Sequence, residues 1–203
     1  MKPVFKTVAG NGENQDRGCV IGIAGGIVLL VADGAGGMAG GARAAAMAVE
    51  FAQQHTGYLT EPSGCTKLLH AMDRHILQEE SAGETTCALA VVRGGRIFGS
   101  SVGDSGVWIL GSGRSIDLTC NQARKPFIGS GSIRPVEFSY TVAGEGEKLL
   151  LATDGLLKYA PAARIVEVCA GQDNEACATG LIELVRYRSG GLPDDVTVIL
   201  AAL

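Results

Sequence analysis

Hydrophobic residues run along this chain in short blocks of two kinds, some continuous or β-branched and some spaced at helical intervals, with glycines between them. Residues 19–23 and 27–32, on either side of a break at Gly25-Gly26, read as the paired strands of a hairpin that ends at Asp33. Residues 39–55 are Ala-rich and carry Met47, Val49 and Phe51, and residues 65–80 repeat Leu68, Leu69, Met72 and Ile76 at helical spacing, so two helices follow. Residues 85–93, 96–102 and 106–110 are β-rich and joined by Gly94-Gly95 and Gly103-Asp104-Ser105, the pattern of an antiparallel meander. Between 111 and 146 the chain is glycine-rich and irregular, with 138–142 its best strand, and residues 148–153 then run as a buried strand into Asp154-Gly155. Residues 161–170, opened by Pro161, and 174–188 read as helices, and 196–200 as a closing strand. Hairpins dominate over strand–helix–strand alternation. The expected fold is therefore α+β: two antiparallel sheets packed together with helices outside, in one domain over residues 1–203 without repeats or linkers.

Composition narrows the function. Apolar residues make up 46% and charged residues 19%, which suits a packed domain rather than a disordered chain. Lys+Arg 17 against Asp+Glu 21 gives a net charge of -4, so nothing electrostatic points to nucleic acid or to an anionic membrane. The longest apolar run, 20–32, falls short of the ~20 residues a spanning helix needs, and the first residues do not form a signal peptide. Six cysteines without CxxC spacing read as reduced thiols, and a cytoplasmic monomer is expected.

The chemistry rests on aspartates at strand ends. Asp33 follows one apolar strand, Asp154 follows another, and Asp194-Asp195 precede a third. Strands laid side by side bring such carboxylates to one edge, where close like charges call for a cation. With no His or Cys in the set, hard Mg²⁺ or Mn²⁺ is the matching ion. Taken singly, an Asp-Gly after a strand is an ordinary turn. The glycine-rich stretch 34–41 lacks the Lys-Ser/Thr of a P-loop, so nucleotide binding is not expected. Arg186-Tyr187-Arg188 reads as a helix C-terminus and Trp108 as a half-buried strand residue.

Six segments in order along nearly the whole chain carry a resemblance: Gly12-Glu13-Asn14-Gln15-Asp16, Val31-Ala32-Asp33-Gly34-Ala35-Gly36-Gly37, Glu84-Thr85-Thr86-Cys87-Ala88, Val102-Gly103-Asp104-Ser105-Gly106, Leu151-Ala152-Thr153-Asp154-Gly155-Leu156 and Asp194-Asp195-Val196-Thr197-Val198-Ile199. Together they resemble the PP2C family of metal-dependent protein serine/threonine phosphatases in its short bacterial form. The resemblance implies a central sandwich flanked by helix pairs, and two Mg²⁺ or Mn²⁺ ions with a third, weaker site. It also implies hydrolysis of phosphoserine or phosphothreonine by a metal-bridged water. By position, Asp33 matches the aspartate bridging two metals and the Gly34 carbonyl a ligand of the second. Asp154 and Asp194 match the first metal's carboxylates, with Asp195 where the family usually has Asn. Asp16 matches an acidic residue reaching the second metal through water, and Asp104 a ligand of the third site.

The departures bear on substrate binding. Asn11 stands where many members carry the arginine that grips phosphate, which leaves Asn11 itself, Arg17 and the Arg124-Lys125 pair as candidates. Gln15 replaces an acidic residue, Ala35 stands where longer eukaryotic members have His, and the flap is cut to about 119–134. Cys87 and Ser105 read as a strand thiol and a turn hydroxyl, not nucleophiles. The expected partner is a phosphorylated protein made by a Ser/Thr kinase. The alternative is a non-catalytic relative that uses the same fold to bind a phosphoprotein or regulatory partner.

Overall fold

Alternation within the apolar strands sets the layering, because successive side chains of a strand face opposite sides of its sheet. In the computed structural model, which describes residues 2–35, 40–111, 113–144 and 146–203, this division is plain. On β3 (Gly26–Asp33), Val28, Leu30 and Ala32 join one buried cluster with the helices α1 (Gly41–Gln54) and α2 (Pro62–Leu77). Its other face, Leu29 and Val31, meets Val107, Ile109, Leu149, Leu151 and Ile199 in a second cluster between the sheets. A third cluster packs Val196, Val198 and Leu200 against α4 (Ala162–Cys169) and α5 (Asn174–Leu184). Both faces of each sheet are thus covered.

One sheet contains β2 (Asp16–Ile23), β3, β4 (Cys87–Arg93), β5 (Arg96–Val102) and β8 (Val136–Thr141), paired in that order. The other runs β1 (Val4–Val8), β10 (Val196–Ala202), β9 (Lys148–Ala152), β6 (Gly106–Gly111) and β7 (Arg114–Asp117). All neighbours are antiparallel. The α+β sandwich expected from the pattern is the fold observed.

The differences lie where burial is weak. The sequence pattern does not mark β1 and β7, and they are the two edges of one sheet, where a strand packs on one neighbour and needs no apolar block. Phe5 on β1 is 40% exposed. Helix α5 stops at Leu184 instead of continuing to 188, because the chain turns there: Tyr187 N–H donates to Gly191 O at 2.9 Å, and Arg186 to Gly190 O at 2.8 Å. That turn sends the following residues back toward the sheet ends. Ala39 and the rest of 36–39, part of the glycine-rich stretch 34–41, lie outside the described residues.

Topology gathers the aspartates. Asp16 opens β2 and pairs in register with Asp33, which closes β3. Asp104 follows β5, while Asp154 begins the short helix α3 (Asp154–Leu157) just after β9. Asp194 and Asp195 precede β10, which pairs with β9. Two glycines permit this crowding: a Cβ on Gly34 would collide with the carbonyl carbon of Gly41 at the start of α1, and one on Gly155 would collide with the Asp195 carbonyl oxygen.

Candidate active site

At these strand ends a cavity of about 840 Å³ opens, lined by Asp33, Asp104, Asp154, Asp194 and Asp195 together with Gly34, Asn11 and Gln15. Asp33 is held by its backbone. Its N–H donates to Thr86 Oγ1 at 3.0 Å, and its carbonyl accepts from Thr86 N–H and from Thr85 Oγ1, both at 2.9 Å. Thr86 Oγ1 in turn shares a 2.7 Å hydrogen bond with Ser105 Oγ, which occupies that hydroxyl as a support. Cys87 is fully buried in the helix-side core and burial pushes its thiol up, so neither residue is poised as a nucleophile.

The carboxylates disturb one another strongly. Burial, then the charges of Asp16 and Asp154, push Asp33 up to about 9. Burial pushes Asp16 up to about 7 against the lowering effect of the hydrogen bond from Thr153. Asp154 is raised as well, by burial and then by Asp104 and Asp194, with Lys158 Nζ 3.9 Å away offering partial relief. Such a cluster holds protons or takes up cations.

A divalent cation fits the residues present. The donors are all oxygens, and Asp16 Oδ1 and Gln15 Oε1 are buried with no hydrogen-bond partner. Among the described residues no group of three or more Asp, Glu, His or Cys side chains forms a ready-made cage.

This electrostatic state predicts how stability responds to pH. Asp33 and Asp16 have folded values above the unfolded ones, so the stability they contribute is complete below about pH 4 and is lost as pH rises through about 7 and about 9. Chelator-treated protein is therefore expected to show a falling thermal midpoint between about pH 5 and pH 9, and saturating Mn²⁺ to flatten the fall. A flat midpoint in the metal-free protein would contradict it.

Asp194 and Asp195 have different surroundings. Asp195 Oδ1 accepts from Gly10 N–H at 2.8 Å and Oδ2 from Gln15 N–H at 2.6 Å, so both oxygens tie the β1–β2 loop to the start of β10. Asp194 is exposed, and its Oδ1 accepts only the neighbouring Asp195 N–H at 3.0 Å. Asp16 lies behind the cavity wall, 1% exposed, with Thr153 Oγ1 donating to its Oδ2 at 2.7 Å. Arg17 is not in the cavity lining: its guanidinium donates to the Asn14 and Asp16 carbonyls at 2.7 and 2.8 Å and braces the loop. Asn11 does line the cavity, as do Arg124 and Lys125 from the flap. Glu13, Thr86, Phe127 and Lys158 also line it, beyond the site residues to which the sequence points; Glu13 and Thr86 lie within quoted motif segments, and Lys158 follows Asp154 by four residues on a helical turn.

The sequence model of the family described as Protein phosphatase 2C matches residues 7–176. No curated protein matches the chain. Among solved structures, a bacterial serine phosphatase superposes with a TM-score of 0.82 at 20% identity, over 100% of this chain and 97% of that one. The serine/threonine phosphatase Stp1 from Staphylococcus aureus gives 0.80 at 19% identity over 100% and 94%. The PPM Ser-Thr phosphatase MsPP from Mycobacterium smegmatis, in complex with cacodylate, gives 0.78 at 21% identity over 100% and 98%. These likenesses establish a shared fold. No helix among the described residues is long and apolar enough to cross a membrane.

Proposed function

The chain belongs to the protein phosphatase 2C family and is by that membership a protein serine/threonine phosphatase, and from that premise we propose that its acidic cavity binds divalent cations and hydrolyses phosphoserine and phosphothreonine in proteins. The observation that carries this reading is the convergence of Asp33, Asp104, Asp154 and Asp194 on one cavity, where burial and mutual repulsion raise Asp33 and Asp154 so that they hold protons unless cations take their place. Asp33 would hold both of two Mg²⁺ or Mn²⁺ ions. Asp154 and Asp194 would complete the first, and Asp16 with the Gly34 carbonyl the second, leaving Asp104 for a weaker third. When bound, the cations supply an acidified water for in-line attack on phosphorus and neutralise charge on the phosphoryl oxygens.

The chain's own residues supply position. Thr85 and Thr86 fix the Asp33 backbone, and Asp195 fixes the loop that carries Asn11 and leads into Asp16 at the start of β2. Free of such ties, Asp194 keeps its carboxylate available to the cavity. Ala35 has no acidic group to protonate the leaving alkoxide, so that proton would come from solvent. The whole chain would act as one unit on the phosphorylated product of a protein kinase.

The test is hydrolysis of a phosphothreonine peptide with and without Mn²⁺. Turnover is expected only with the metal, to vanish with chelator and to return on re-addition. Tight Mn²⁺ binding without turnover would favour the non-catalytic, phosphoprotein-binding reading instead.

A further inference from the structure

A phosphoryl dianion entering this cavity meets Asp33, Asp104, Asp154 and Asp194, so it needs cationic side chains beyond whatever the carboxylates bind. Three basic residues line the cavity, and they are not equivalent. Arg124 Nε donates to Asp104 Oδ2 at 2.7 Å and is committed to that carboxylate. Lys158 faces Asp154 at 3.9 Å. Lys125 makes no ion pair among the described residues, and its Nζ stands over the Phe127 ring, 5.5 Å from the centroid.

The loop that carries Lys125 is pinned on both sides. Gln122 Nε2 donates to the Ser105 carbonyl at 2.7 Å, and Ile128 exchanges two backbone hydrogen bonds of 2.9 Å with Thr85, next to the threonine that holds Asp33. Beyond it, the buried Asp73 on α2 accepts from Gly129 and Gly131 N–H at 2.7 and 3.1 Å. An exposed lysine thus projects from a fixed segment. The Phe127 ring beneath it restricts a flexible side chain and lowers the ordering cost of binding. A lysine ammonium binds phosphate as a compact point charge, without the two-point geometry an arginine would bring.

We infer that Lys125 grips the phosphoryl group of the substrate, the task for which residue 11 offers only an asparagine. This rests on the phosphatase reading above and adds to it the residue that recognises phosphate. At saturating Mn²⁺, Lys125→Ala is expected to raise KM for p-nitrophenyl phosphate and for a phosphothreonine peptide, and Ki for inorganic phosphate, each by about tenfold, the lower end of what a hydrogen bond to a charged group is worth. Lys125→Arg should recover most of the loss, and because Lys125 is exposed the thermal midpoint should not move. An unchanged Ki for phosphate in Lys125→Ala would overturn the inference, as would a KM effect confined to peptides with acidic residues beside the phosphothreonine. If the wild-type chain shows no turnover, the phosphatase reading fails separately. Lys125 is then judged by calorimetric titration of inorganic phosphate into the Mn²⁺-loaded protein: a tenfold weaker Kd in Lys125→Ala sustains the inference and an equal one refutes it.

Discussion

Asp33→Asn is expected to lower phosphatase turnover by more than about a hundredfold while raising the thermal midpoint of the metal-free protein. The activity loss follows from the role proposed for Asp33, the carboxylate that would be shared by two cations. Residues that only support a metal ligand are worth about 10–100-fold, so removal of the shared ligand should exceed that. The stability gain follows from the same burial. Asp33 is pushed up to about 9 by desolvation and by Asp16 and Asp154, so at neutral pH the folded chain either keeps a proton there or bears an unfavourable charge. An asparagine at this site is neutral at every pH. The gain is placed at about 1 kcal/mol or more, a rise of about 2–4 °C for a chain of this size. Calorimetry of both proteins in chelator, beside turnover in Mn²⁺, reads both effects. A lowered midpoint would mean that Asp33 is held for structure; a raised one with full activity would remove it from the metal site.

The neighbouring pair at the start of β10 should separate under mutation. Asp194→Ala is expected to cut turnover by more than about a hundredfold and to shift stability by no more than about 0.5 kcal/mol, as for an exposed side chain without distant partners. Asp195→Ala strips the acceptors from Gly10 and Gln15 N–H, and at about 1–3 kcal/mol for each unsatisfied group it should lower the thermal midpoint by several degrees. Activity in that variant should fall because the loop that bears Asn11 and leads into Asp16 loosens, and it should recover in part at lower temperature, which Asp194→Ala should not. Equal stability of the two variants would erase the division of roles.

Much of the fold is legible in one dimension. The apolar runs that end in Asp33 and Asp154, and the one that begins after Asp195, announce buried strands with acids at their ends, because burial on both faces demands continuous hydrophobic sequence. Helical spacing marks the helices over each sheet, with ends displaced by a few residues. The edge strands β1 and β7 go unmarked, since pairing on one side leaves little apolar pattern to read.

Local periodicity therefore accounts for the layered architecture and for the presence of carboxylates at strand ends. How neighbouring residues divide their work was assigned later, by the closing of the sheets. Asp194 and Asp195 are chemically identical, yet one is tied to Gly10 and Gln15, 185 and 180 residues away, while the other is left to the cavity. Arg17 is diverted to backbone carbonyls, and Lys125 is brought over the cavity by a pinned flap. Such outcomes depend on which distant groups meet a side chain once the sheets have packed, and a periodic pattern along the chain carries no record of those meetings.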